Sequence, residues 1–301
     1  MKLHEDKTQF NESIIAISKR TGIMPGFIEK DYYVFYILEE LAKEVPGLLF
    51  KGGTCLSSVF HLIDRFSEDI DLSLDNDHYG RSKSIFANHK VIEVCDKLGF
   101  KIVNRNKVEH HSHASFNRYI VEYPVTFSQG VAKPYIQIEL VFFQKAYPSE
   151  RMEVKSLINK YTQSSTFKEK YEIKTFSMSV QKLERTFVDK VFAICDYFER
   201  KETRRNSRHI YDLYKIYDKL KIDDKLKALI GDVRKDRKKS KRAVSAKDGY
   251  DINRALLNIK KSNFYKEDFE TITKEMLFKK IEYNEIITVI DQIIDSNLFS
   301  N

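Results

Sequence analysis

The sequence predicts an α/β (α+β) fold: a small mixed, twisted sheet with flanking helices, followed by a C-terminal helical bundle. Three observations lead there. Leu48-Leu49-Phe50-Lys51 is a short apolar run that Gly52-Gly53 turns into a helical pattern, and residues 68–74 alternate acidic and apolar side chains as a half-buried strand does. Residues 179–300 repeat apolar positions at helical spacing with no convincing strand. Only 10 Gly and 5 Pro in 301 residues favour long regular elements, mostly helices. The change of character near Ser177 divides the chain into residues 1–175, an α/β domain, and 176–301, a helical domain expected to close a cleft.

Taken in order, residues 9–44 read as two helices punctuated by Gly22 and Pro25. The helix begun at Gly52 is expected to run to about Ile63, and residues 83–98 form another that Gly99 stops. Residues 102–105, 119–126 and 135–143 read as three further strands, the last apolar except for Gln137 and Glu139. The most basic stretch, residues 233–242, is expected to be a loop between helices.

Composition narrows the function classes. Hydrophobic residues make up 42% and charged residues 32%, the balance of a globular chain, and no apolar run reaches membrane-spanning length. A formal charge of +8 favours polyanionic partners, nucleic acid above all. Cys55, Cys95 and Cys195 are scattered, which fits buried thiols in a reducing cytoplasm and neither a disulfide frame nor a zinc site. The polar N-terminus carries no secretory signal pattern.

Chemistry concentrates on Asp69 and Asp71. Residues i and i+2 of a strand share a face, so both carboxylates can share one divalent cation. Upstream, Gly52, Gly53 and Thr54 form a tight turn before a helix, a place where backbone N–H groups meet phosphate oxygens. Glu139 interrupts an apolar strand and reads either as a third metal ligand or as a carboxylate paired with a Lys or Arg. Arg65 could meet a phosphate or brace its loop, and Ser67 could touch a phosphate. Arg204, Arg205 and Arg208 read either as a path for nucleic acid or as a solvated charged face. His110, His111 and His113 read as a loop rather than a closed tetrahedral metal site.

Lys51-Gly52-Gly53-Thr54-Cys55-Leu56, followed by Arg65-Phe66-Ser67-Glu68-Asp69-Ile70-Asp71-Leu72, resembles the signature of AbiEii/AbiGii-type (MenT-like) nucleotidyltransferase toxins, a branch of the DNA polymerase β-like nucleotidyltransferase superfamily. Glu29-Lys30-Asp31-Tyr32 is similar to the N-terminal helix of that family. Lys190 falls at the position of its nucleotide-binding lysine, and Asp212 matches its R-D-x-Y-D-L motif, with His209 in place of the usual Asp. The resemblance implies a metal-dependent nucleotidyltransferase. Asp69, Asp71 and Glu139 would hold Mg²⁺ or Mn²⁺. Lys190 would bind the triphosphate of an NTP, and Asp212 would position Lys190, the base or the ribose. The implied acceptor is RNA, in particular tRNA, and the implied role is that of a toxin with a cognate antitoxin. Two alternatives keep the same fold: a catalytically silent module that binds nucleic acid or protein, and an enzyme that modifies a protein or small molecule.

Overall fold

The computed structural model describes residues 1–74, 81–110, 116–142 and 148–300. The chain divides into two compact units, Met1–His61 with Phe66–Val180, and Leu62–Arg65 with Gln181–Asn301.

The first unit opens with helix α1 (Lys7–Thr21), capped by the Asp6 carboxylate, which accepts from the Gln9 amide, and ended by Gly22 at φ +75°. Helix α2 (Pro25–Glu44) starts with proline in its first turn, where a missing N–H costs nothing. Strand β1 (Leu48–Lys51) leads into the short helix α3 (Gly52–Ser58), five residues shorter than its sequence pattern suggests. Strand β2 (Asp69–Leu74), helix α4 (Arg81–Lys97), strand β3 (Lys101–Ile102), helix α5 (Arg105–His110) and strands β4 (Phe116–Glu122) and β5 (Ile136–Val141) follow. Strand β6 (Ser149–Val154), helices α6 (Leu157–Tyr161) and α7 (Ser165–Lys170), and strand β7 (Phe176–Gln181) complete the unit.

These strands form one mixed sheet in the order β3-β4-β5-β2-β1-β7-β6. Its register separates two chemistries. Ile70, Leu72 and Leu74 point to one face with Ile136, Ile138 and Leu140 beside them, and all six are fully buried. Burying each such side chain stabilises the fold by about 1.5–3 kcal/mol. The opposite face carries Asp69, Asp71 and Ser73 next to Gln137 and Glu139, with Arg118 beyond and Lys51 opposite Asp71.

Several local expectations are corrected. The strand expected over residues 102–105 stops at Ile102. The Asn104 side chain takes the next ladder positions itself, donating to the Arg118 carbonyl at 2.7 Å and accepting from the Ile120 amide at 2.9 Å, and Arg105 then begins a helix. His110 ends that helix rather than lying in a loop, while His111 and His113 fall outside the described residues. Strands β6 and β7 have no counterpart in the sequence reading, because their partly exposed, Ser- and Glu-containing segments lack a long apolar run.

The second unit is helical: α8 (Leu183–Glu199), α9 (Arg208–Tyr217), α10 (Asp224–Arg237), α11 (Ile252–Lys261), α12 (Lys266–Asp268), α13 (Tyr283–Ile286) and α14 (Val289–Asp295). The first half of the basic stretch is helix, not loop. Val233 is fully buried on α10, and Arg237 donates to Asp196 at 2.7 Å. Segment Leu62–Arg65 is stitched into this unit: the Asp64 amide donates to the Tyr211 hydroxyl at 3.0 Å, and its carbonyl accepts from the Phe278 amide at 2.7 Å. No helix among the described residues is long and apolar enough to cross a membrane.

Candidate active site

The acidic face is organised by the turn between β1 and α3. Gly52 sits at φ +78°, and a Cβ placed on it would lie 2.0 Å from Asp71 Oδ2. Glycine is therefore required twice, for its backbone angle and for the close approach of a carboxylate. Thr54 is buried, and its hydroxyl donates to the Asp69 carbonyl at 2.6 Å and lies 3.1 Å from Ser67 Oγ. Thr54 and Ser67, both read from sequence as phosphate contacts, thus tie the turn to β2.

Asp69 is 6% exposed. Its two carboxylate oxygens accept from Lys133 Nζ at 2.8 and 3.1 Å, and Gln137 Oε1 is 3.3 Å from the same nitrogen. Glu139 stands beside Asp71 in the ladder, but its Oε1 accepts from Arg118 Nε at 2.9 Å and from Gln137 Nε2 at 2.8 Å. Of the two sequence readings of Glu139, ion pairing is the one formed. The close convergence of three carboxylates is not. Among the described residues, no group of three His, Cys, Asp or Glu is arranged to hold a metal ion. The physical reason is that Lys133 engages one outer acid and Arg118 the other.

The donor set still fits magnesium. This ion prefers oxygen, dehydrates reluctantly and is commonly held by one or two carboxylates plus substrate phosphates rather than by an all-protein cage. Asp69 and Asp71 supply two such carboxylates from one strand face, and the Lys133 ammonium already draws on Asp69 as a cation would.

A buried ion pair holds this arrangement from behind. Lys30 and Glu68 have fully buried side chains 2.6 Å apart. Burial pulls the Lys30 ammonium below its ordinary pKa, against the pull of Glu68. Glu68 also accepts from the Lys133 amide at 2.7 Å, and Lys30 donates to the Lys133 carbonyl at 2.8 Å. On either side of Lys30, Glu29 accepts from the amides of Thr126 and Phe127 at 2.8 and 3.1 Å, and Asp31 accepts from the Leu157 amide at 2.6 Å. Burial pushes the Asp31 carboxyl up to about 8. The Glu29-Lys30-Asp31 run is thus a set of three anchors. Sequence reasoning marked it as a motif but gave it no task, and it missed Lys133, Arg118 and Glu68. A charged run on an otherwise apolar helix was the available signal.

The second unit holds its own charged cluster. Arg65, read as a phosphate contact or a brace, is the brace: its Nε and one terminal nitrogen form a fork on the Asp212 carboxylate at 2.8 and 2.7 Å. Lys190 Nζ donates to the same carboxylate at 2.6 Å and lies 3.5 Å from His209 Nδ1. Burial opposes charge on Asp212, yet Arg65 and Lys190 outweigh it and hold the carboxyl well below its usual range. Burial draws Lys190 down, partly offset by Asp212. Burial, with Lys190 and Arg208 nearby, pushes His209 well below its ordinary pKa. Its ring stacks on Tyr197 at 5.6 Å. Close by in sequence, Arg204 is exposed and Arg205 adopts φ +64°. The Asp268 carboxylate fixes that bend by accepting from the amides of Arg205 and Ser207 at 2.5 and 2.9 Å. Arg208 opens α9.

Comparison with known proteins gives a family-model match, "Nucleotidyl transferase AbiEii toxin, Type IV TA system", over residues 36–289. The structure is similar to MenT4, a nucleotidyltransferase toxin from Mycobacterium tuberculosis H37Rv, with TM-score 0.58 and 16% identity over 96% of this chain and 90% of that one. JHP933 from Helicobacter pylori matches at TM-score 0.43 and 18% identity, over 90% of this chain and 94% of the other. The search of curated proteins found no significant match.

Proposed function

Since the chain belongs to the AbiEii toxin family of nucleotidyltransferases, of the type IV toxin–antitoxin systems, we propose that it moves a nucleotide from an NTP to RNA, with Asp69 and Asp71 holding a divalent metal. The observation that carries this reading is the geometry at Gly52: a carboxylate packed against the turn after a strand, with a second carboxylate two residues away on the same face.

In this reading, Asp69 and Asp71 would hold Mg²⁺ or Mn²⁺, and Glu139 would join them as a third carboxylate only on leaving Arg118. When bound, the metal supplies neutralisation of phosphate charge and an orientation for in-line displacement. The chain's own work is positioning. Amides at Gly52 and Gly53 approach phosphate oxygens. Lys190 is the proposed nucleotide-binding cation of the second unit, and Asp212 with Arg65 holds it in place. An acceptor hydroxyl forms a bond to the α-phosphorus, the bond from that phosphorus to the bridging oxygen breaks, pyrophosphate leaves, and the hydroxyl proton passes to solvent.

RNA, tRNA in particular, is proposed as acceptor on two grounds: the +8 charge, and the cluster of the exposed Arg204 with the half-buried Arg205 and Arg208 at the start of α9. A cognate antitoxin is the expected partner of such a toxin. The test is transfer of label from each α-labelled NTP to total cellular RNA. Wild-type protein should label one RNA class, and Asp69→Ala and Asp71→Ala should each reduce transfer by about a hundredfold or more. Equal labelling by wild type and Asp69→Ala overturns the mechanism, and labelling that ignores added tRNA overturns the acceptor.

A further inference from the structure

The loop before β5 presents one lysine in an unusual setting. The backbone of Lys133 is pinned from both sides, its N–H by Glu68 and its carbonyl by Lys30, both with fully buried side chains. Pro134 follows, which restricts the Lys133 backbone to an extended conformation. The root of the side chain is therefore fixed while its four-carbon stem can still turn. Its ammonium lies across both oxygens of Asp69, with side-chain exposures of 15% and 8% for the two partners. Water screens such a pair only partly, so a second cation meets both the loss of the pair and repulsion from the ammonium. A nucleotide triphosphate changes the balance, because its oxygens offer the displaced ammonium a new acceptor.

We propose that Lys133 is a built-in counter-ion that disfavours bare metal at Asp69 and moves to the phosphates of an incoming nucleotide, so that metal is taken up with its NTP. This rests on the metal-binding reading of Asp69 and Asp71. It assigns Lys133 a phosphate-contacting role. It also assigns the buried Lys30–Glu68 pair the task of holding the root of that lysine in place.

The two halves of the proposal predict opposite signs, which a purely structural lysine would not produce. Lys133→Met and Lys133→Arg would be compared with the wild-type full chain by titrating Mn²⁺ alone, and then α,β-methylene NTPs in the presence of Mg²⁺. Lys133→Met should bind bare Mn²⁺ about fivefold more tightly and the NTP analogue about tenfold more weakly. Lys133→Arg keeps the charge and should hold bare Mn²⁺ near its wild-type affinity. Affinities that both stay unchanged in Lys133→Met, or that both move in one direction, overturn the proposal. Asp69→Ala separates this from failure of the underlying reading: if that variant binds Mn²⁺ and transfers nucleotide like wild type, the metal site itself is misassigned, whatever Lys133 does.

Discussion

Each unit contains a carboxylate gripped by cations, and the two are built in opposite ways. In the helical unit, Asp212 is fully buried, forked by Arg65 and bonded by Lys190, with both cations nearly buried as well. On the sheet, Asp69 pairs with Lys133, whose side chain is 15% exposed, and Glu139 is 22% exposed and paired with an Arg118 that is 53% exposed. A closed network of charges resists exchange, because removing any member leaves another charge buried and unpaired. A partly open pair can give up its cation once a new acceptor is offered to that cation. The difference is one of design: the helical unit locks Lys190 into a closed network, and the sheet leaves its ion pairs partly open to solvent.

The sharpest way to break that contrast is Asp212→Ala. It removes the buried carboxylate that Arg65 and Lys190 share and should destabilise the helical unit by about 3–5 kcal/mol. Thermal unfolding would show the loss. The folded carboxyl is depressed, so its stabilisation is present above the ordinary carboxyl value of 3.8 and is lost as pH falls further toward the folded value. Wild type and Asp212→Ala should therefore converge in stability only in strong acid. Asp212→Asn with unchanged melting at neutral pH would show that the network carries little weight.

Next in size is Gly52→Ala. The added methyl must enter a left-handed backbone angle and also displace Asp71 Oδ2. A cost of about 1–3 kcal/mol is expected from the backbone and the forced shift together. Nucleotide transfer should fall with it, because Asp71 is the group that moves. Transfer unaffected at a temperature where the variant is folded would detach Asp71 from the chemistry.

Asp31 tests an anchor rather than a site. Its carboxyl is raised, so the protonated form favours folding. That advantage is full below the ordinary carboxyl value of 3.8 and drains away as pH rises toward about 8. Asp31→Asn keeps an acceptor for the Leu157 amide and cannot ionise. It should melt like wild type in acid and at progressively higher temperature than wild type as pH rises, the gap levelling off above about 8. A gap that shrinks with rising pH would contradict the assignment.

Sequence and structure agree best where one residue decides a local shape. Gly22, Gly52 and Pro25 each mark a helix boundary that the structure keeps, and the alternation in residues 68–74 is the two-faced strand β2. They diverge where a side chain from elsewhere intervenes. Asn104 occupies ladder positions that an extended segment would have used, and Arg237 is drawn onto Asp196 from a run that looks like pure solvated charge. The site follows the same pattern. The i, i+2 acids and the Gly turn are local and legible. Lys133 is 64 residues from Asp69, and Arg118 is 21 from Glu139, so no spacing rule announces either pair.

The smallest effect concerns Glu139→Gln, and it decides how far the exchangeable character of the sheet extends. The amide keeps the shape of the carboxylate and can still accept from Gln137 Nε2, so only the charge is lost. Its ion pair with Arg118 is partly in solvent, and stability should change by no more than about 1 kcal/mol. If Glu139 leaves Arg118 to join Asp69 and Asp71 when metal and nucleotide arrive, nucleotide transfer should fall about tenfold while melting stays put. If Glu139 only holds Arg118, transfer should stay at the wild-type rate. Assaying Arg118→Met beside it separates the two cases. Freeing Glu139 from its partner should leave transfer intact or raise it when Glu139 serves the metal, and both variants should be silent when the pair is an ornament of the sheet.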